Sequence, residues 1–216
     1  MSTVLLLHGD LRVAHRLRQL IDSAPGLEAV GVATHLAQAH ECLSRNTPDL
    51  LLADLLLPDG NITSLLDQLR GNGRGGRPQL LVLAMSVDDP RLMEALRHGA
   101  DGYFIPGSSP APLFTAIEQV LHGESTMSPQ IARELMSHFD ASAWDQTDFI
   151  GEAQNPLRLS ETERLLLQWT AEGYLVSEIA RTLQLSLHGV GVRMRNIYRK
   201  MQFDLRADAL SLMAAA

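Results

Sequence analysis

Residues 48–60 read Pro48-Asp49-Leu50-Leu51-Leu52-Ala53-Asp54-Leu55-Leu56-Leu57-Pro58-Asp59-Gly60. The run Leu50–Ala53 is apolar at every position, too short for a helix, and stopped by Asp54 and a Pro-Asp-Gly turn. Such a run suits a strand buried on both faces, as in a parallel sheet. Outward from it, Val4–Leu7 and Leu80–Leu83 repeat the pattern, and Leu27–Ala33 and Asp101–Ile105 are weaker versions. Between these runs the apolar residues fall at helical spacing: Leu11, Ala14, Leu17 and Ile21; Leu65, Leu66 and Leu69; Leu92, Ala95 and Leu96; Leu113, Ile117, Val120 and Leu121. Five strand–helix repeats predict an α/β unit with a five-stranded, doubly wound parallel sheet and helices on both faces, because right-handed crossovers alternate around it.

The chain has 216 residues, 45% apolar and 20% charged, an ordinary globular composition. Its net charge of −7 is uneven. Residues 1–125 hold 9 basic and 14 acidic side chains (net −5), residues 126–155 hold 1 and 5 (net −4), and residues 156–216 hold 8 and 6 (net +2). A uniformly basic coat is excluded, and the positive end is the part expected to meet an acidic partner. Cys42 is the only cysteine, which excludes an intrachain disulfide and a cysteine-based zinc site, and it reads as a packing residue. The start, MSTVLLLHGD, reads as no signal peptide, and no run approaches a membrane span, so a cytoplasmic protein with no membrane partner is expected.

Ser128-Pro129 reads as a helix start, with Ile131, Leu135 and Met136 continuing it near 129–139. Residues 140–156 lose periodicity and gain acids, and read as an exposed, partly flexible linker whose Trp144 and Phe149 are expected to dock on the folded protein. Gly71–Gly76 reads as a connector and not a phosphate loop, since no Lys-Ser/Thr follows it. From Leu159 the chain is predicted helical to its end. Ser160 and Glu163 form a capping box, Gly173 closes that helix, and Ser177–Leu183, Leu187–Met201 and Ala207–Met213 follow. The expected divisions are 1–124, a linker at 125–155, and an all-α domain at 156–216.

The anchors Leu159 to Arg164, Ala171-Glu172-Gly173, Glu178-Ile179-Ala180, Leu183, Leu185-Ser186, Val190 and Asn196-Ile197 resemble the LuxR-type helix-turn-helix. The resemblance implies DNA as partner, with the helix from Leu187 entering the major groove. Val190, Arg193, Arg195, Asn196, Arg199 and Lys200 are the candidate contacts, the four cations being read as outward. The family's usual Thr-Val-Lys is Gly189-Val190-Gly191 here, so Gly191 stands where the family has a DNA-contacting lysine.

Pro48 to Asp54, Leu57-Pro58-Asp59-Gly60 and Gly99-Ala100-Asp101-Gly102-Tyr103 resemble the flavodoxin-like receiver domain of NarL/FixJ-type response regulators. The resemblance makes Asp54 the phospho-acceptor. It also implies an acidic pair for Mg²⁺ after strand 1, a hydroxyl after strand 4, a lysine after strand 5 and a switch aromatic. Those positions hold His8 and Gly9 (with Asp10 one residue on), Ala84, Pro106 and Tyr103. The domain contains no lysine. No cofactor is expected, Mg²⁺ requiring that Asp10 and Asp54 still form a site, and His8 reads as a pocket histidine and not as a transition-metal ligand.

The sequence therefore predicts a dimeric, DNA-binding transcription regulator with a degenerate receiver, controlled independently of aspartyl phosphorylation, and not an enzyme. Two alternatives stand beside it. One is conventional phosphorylation of Asp54 by a partner histidine kinase. The other is a module that senses a small ligand or protein at the surface holding Tyr103 and Pro106.

Overall fold

The computed structural model describes residues 1–71, 77–107, 109–143 and 158–214. The connector at 72–76, Ser108, and the linker from 144 to 157 with Trp144 and Phe149 lie outside the described residues. The chain forms two compact units, Met1–His122 and Gly123–Ala216.

The first unit alternates β1 (Ser2–Leu7), α1 (Leu11–Ser23), β2 (Leu27–Ala33), α2 (Leu36–Arg45) and β3 (Leu50–Asp54). A short hairpin of β4 (Leu56–Leu57) and β5 (Gly60–Asn61) follows, then α3 (Ile62–Gly71), β6 (Gln79–Leu83), α4 (Pro90–His98), β7 (Gly102–Phe104) and α5 (Ala111–Leu121). The sheet order is β2-β1-β3-β6-β7, and all its pairings are parallel. The apolar runs are strands buried on both faces, as their composition requires. Val4, Leu6, Leu50, Leu52, Leu81 and Leu83 pack with Ile21 of α1 and with Leu113, Ile117 and Val120 of α5. Leu5, Leu7, Leu51, Ala53, Leu80 and Val82 alternate with them and are equally buried on the other face.

Two aspartates fix the frame from outside the strands. Asp49 accepts hydrogen bonds from the Thr3 N–H (2.8 Å) and hydroxyl (2.9 Å), stapling the start of β1 to that of β3. Asp59, in the Pro-Asp-Gly turn, accepts from the Leu36 and Ala37 N–H groups and so caps α2 from across the loop. Both carboxyls are held below the usual aspartate range, chiefly by the Thr3 and Leu36 backbone N–H groups respectively.

The second unit is helical: α6 (Pro129–Ala143), α7 (Glu161–Glu172), α8 (Val176–Thr182) and α9 (Leu187–Ala214). The capping box forms as read, with the Glu163 N–H donating to Ser160 Oγ and the Ser160 N–H to Glu163 Oε2. Gly173 closes α7 at φ +91, a left-handed cap that favours glycine. The C-terminal helix differs from expectation. The helices read at Leu187–Met201 and Ala207–Met213 are one helix, α9. No glycine or proline follows Gly191, so nothing in the chain stops it.

Candidate functional site

In an open α/β sheet, ligands bind beyond the carboxyl ends of the strands, where the strand order reverses. Here that point lies between β1 and β3, and it holds His8 and Asp54. His8 Nε2 stands 3.7 Å from Asp54 Oδ2, with the two side chains 19% and 32% exposed. The Asp10 N–H donates to His8 Nδ1 at 3.0 Å. That bond assigns Nδ1 as acceptor and leaves the Nε2 proton aimed at Asp54. At 3.7 Å the approach is electrostatic and longer than a hydrogen bond.

Asp10 is committed elsewhere. Its carboxylate caps α1, accepting from the Arg12 N–H at 2.7 Å and the Val13 N–H at 3.4 Å. At Gly9 a Cβ would meet Pro58 Cδ at 3.2 Å, so the second acid of the family's pair has little room. Mg²⁺ takes near-octahedral oxygen ligands, usually including one or two carboxylates. Here Asp54 faces the His8 imidazole where the family's pair would place acids, and Asp10 is spent on the helix cap. Among the described residues no three His, Cys, Asp or Glu side chains converge on a metal position.

The other pocket positions follow the same trend. Ala84 is buried, and its N–H bonds to the Phe104 carbonyl. The Ser86 hydroxyl, two residues on, accepts from the Asp88 N–H and donates to the Asp88 carboxylate, closing a turn ahead of α4. Tyr103 is 9% exposed, so it contributes little to the surface that Pro106 occupies. The nearby cation that sequence reasoning missed is Arg91. It is bidentate to Asp89, which raises its pKa, and Asp54 adds to that rise through its charge. Asp89 in turn is held low, first by Arg91. The run Asp88-Asp89-Pro90 reads only as a helix start, because nothing local ties Arg91 to Asp54.

In the second unit, Ser186 Oγ accepts from the Gly189 N–H and starts α9. Gln184, at φ +54, makes the turn from α8. Ile179, Ala180, Val190, Met194, Ile197 and Met201 are buried at helical spacing and form the core of this unit. Val190, a candidate contact, is thus a core residue. A second stripe on α9, at Gly191, Arg195, Tyr198 and Gln202, is buried as well. This corrects the outward reading of Arg195, which is 2% exposed. Lys200 is also drawn inward. Its Nζ bonds to the Arg158 carbonyl (2.8 Å) and to Glu163 Oε2 (2.6 Å). Arg193 is half-buried, with Nη1 on the Gly189 carbonyl, and Asn196 is half-buried. Of the six candidates Arg199 alone is exposed.

The periodicity of α9 gives the core stripe but not the second one. At Gly191 and Tyr198 that stripe meets a segment outside the helix-turn-helix. The Ser125 N–H donates to the Gly191 carbonyl (3.0 Å), the Tyr198 hydroxyl to the Thr126 carbonyl (2.9 Å), and Glu124 Oε1 lies 2.7 Å from His188 Nδ1.

Residues 4–118 match the family described as response regulator receiver domain, and residues 157–213 match bacterial regulatory proteins of the luxR family. The nitrate/nitrite response regulator NarL of Escherichia coli K12 is 29% identical over 96% of this chain and 93% of its own. The oxygen regulatory protein NreC of Staphylococcus epidermidis is 27% identical over 84% of this chain and 83% of its own. Among solved structures, a LuxR-family two-component response regulator from Aurantimonas sp. SI85-9A1 is 30% identical, with TM-score 0.54, over 63% of this chain and 96% of its own. RcsB of Salmonella typhimurium shares the fold at 20% identity and TM-score 0.55 over 93% of each chain.

Proposed function

This chain belongs to the NarL/FixJ-type response regulators with a LuxR-type helix-turn-helix, DNA-binding regulators of transcription, and on that premise we propose that its receiver works without a phosphoryl group on Asp54. One observation carries the reading. The acceptor faces the Nε2 side of His8 at 3.7 Å, where the family holds Mg²⁺ through acids, while Asp10 is spent on capping α1. A phosphoaspartate formed here would lack the lysine that offsets its charge, Pro106 having neither charge nor N–H. Ala84 would give it no hydroxyl.

Regulation then rests on something other than phosphotransfer, and the protein binds DNA as a homodimer. One short recognition helix reads few base pairs, and two symmetric half-sites multiply affinity. The RcsB–DNA structure and a structure of two RcsB dimers on two parallel DNAs support the same arrangement here.

The test is intact mass after incubating wild type and Asp54→Ala with Mg²⁺ and acetyl phosphate. The expected result is no adduct on either protein, and equal DNA affinity for the two. A phosphoryl adduct on wild type alone would overturn the proposal.

A further inference from the structure

Position 191 is the one at which the family's resemblance puts a DNA-contacting lysine, and this chain has glycine there. A Cβ built on Gly191 would lie 2.8 Å from Glu124 Oε2 and 2.9 Å from Glu124 Cβ. Glycine therefore leaves room for Glu124 beside α9. The carboxylate uses it to reach one turn back, where its Oε1 lies 2.7 Å from His188 Nδ1. The Ser125 N–H, donating to the Gly191 carbonyl, fixes the backbone that carries Glu124. The Glu124 side chain is 16% exposed and that of His188 61%, so the carboxylate is the inner member of the pair and the imidazole the outer one. A carboxylate only accepts. Nδ1 therefore carries the bonded proton, and Nε2 is the ring nitrogen left for another partner.

We propose that His188 is a base-reading residue, its Nε2 accepting from the amino group of adenine N6 or cytosine N4, and that Glu124 is the positioning residue that fixes its tautomer and orientation. The inference rests on the DNA-binding reading and adds the base chemistry it recognises. A recognition helix sets its N-terminal residues against base edges in the major groove. Among the described residues 187–193, Leu187 and Val192 are apolar, Gly189 and Gly191 have no side chain, Val190 is core, and Arg193 is turned onto the Gly189 carbonyl. His188 is the exposed polar side chain that remains. It shares a face of α9 with the exposed Arg199, 11 residues or about three turns on. In the neutral ring Nε2 is an acceptor, and the amino groups of adenine and cytosine are the donors that the major groove offers.

The test is selection from a random-sequence duplex pool by the full-length protein, at low salt and at pH 8, where an ordinary imidazole is neutral. Wild type is compared with His188→Ala, Glu124→Ala, Glu124→Gln and Gly191→Ala. His188→Ala is expected to keep the selected sequence except at one position of each half-site, where a preference of about fivefold is lost, the worth of one hydrogen bond. Glu124→Ala and Gly191→Ala are expected to relax that same position, the first by removing the carboxylate and the second by displacing it. Glu124→Gln is expected to retain the preference, because its amide oxygen still accepts the Nδ1 proton. A merely structural Glu124 would weaken every position alike. The base at that position is then supplied without its amino group, purine for adenine or 2-pyrimidinone for cytosine. Wild type is expected to lose about fivefold in affinity and His188→Ala nothing. The proposal is overturned if His188→Ala selects the wild-type sequence unchanged, if both proteins lose equally on removal of the amino group, or if wild type retains DNA with no preferred sequence. The DNA-binding reading stands in all three cases. If Glu124→Ala selects as wild type does, the positioning role is overturned. Retention of no duplex by wild type overturns the DNA-binding reading too. Should Gly191→Ala or Glu124→Ala fail to fold, the exposed His188→Ala decides.

Discussion

At Glu163 one carboxylate closes the capping box of α7 through the Ser160 N–H and also holds Lys200, with its side chain 7% exposed. Removing it takes away the reciprocal cap and leaves an ammonium half-buried. Glu163→Ala should therefore destabilise the second unit by roughly 2–3 kcal/mol, a cap plus a charged hydrogen bond. Chemical denaturation checks it, and a Glu163→Ala/Lys200→Met pair should cost less than the two single changes added, since they share one interaction. The box is legible in the sequence because its members are three residues apart. The ion pair is not, because Lys200 is 37 residues from Glu163 and only the packing of α7 on α9 brings them together. Asp10 shows the other limit. The same carboxylate suits a metal or a helix cap, and spacing alone leaves both open. In the structure its side chain accepts the amides two and three residues on.

The strands of the first unit and four of its helices follow from period and punctuation, each expected strand lying within a few residues of its reading, whereas α2 is not among the apolar patterns read as helical. What periodicity does not contain is how an element is held by a residue from elsewhere. His35 at the start of α2 gives no side-chain cap, and Asp59, 23 residues beyond Leu36, supplies it. Asp59 is ionised to lower pH in the folded chain than in the unfolded one. A depressed carboxyl contributes stability above its unfolded value, about 3.9, and loses it as pH falls through the folded value. Wild type should therefore melt higher than Asp59→Asn near pH 6, and the difference should shrink as pH falls below the unfolded value of about 3.9 and through the lower folded one. A gap that persists in acid would mean that the asparagine disturbs the turn and not the charge. In the second unit α9 makes the same point through continuity. Its second half contains no stop signal, so Phe203→Pro should break it, at a cost of about 3 kcal/mol or more, visible as lost helicity by circular dichroism.

At the scale of the molecule, charge decides how DNA binding depends on salt. Residues 156–216 carry +2, yet the whole second unit, 123–216, holds 9 basic and 12 acidic residues and is net −3. The sequence shows four cations on the recognition helix, but burial removes Arg195, and Glu163 and the Arg158 carbonyl occupy Lys200. Arg193 and Arg199 remain for phosphate, about four contacts in a dimer. Each neutralised phosphate contributes about −0.9 to the slope of log affinity against log salt, so a slope of about −4 is expected. Affinity should then fall about a hundredfold between roughly 50 and 200 mM salt. Titrating the duplex across that range measures it. A slope near −7 would mean that Arg195 and Lys200 leave their places in the complex. For Arg195 that requires the second stripe of α9 to open in the complex.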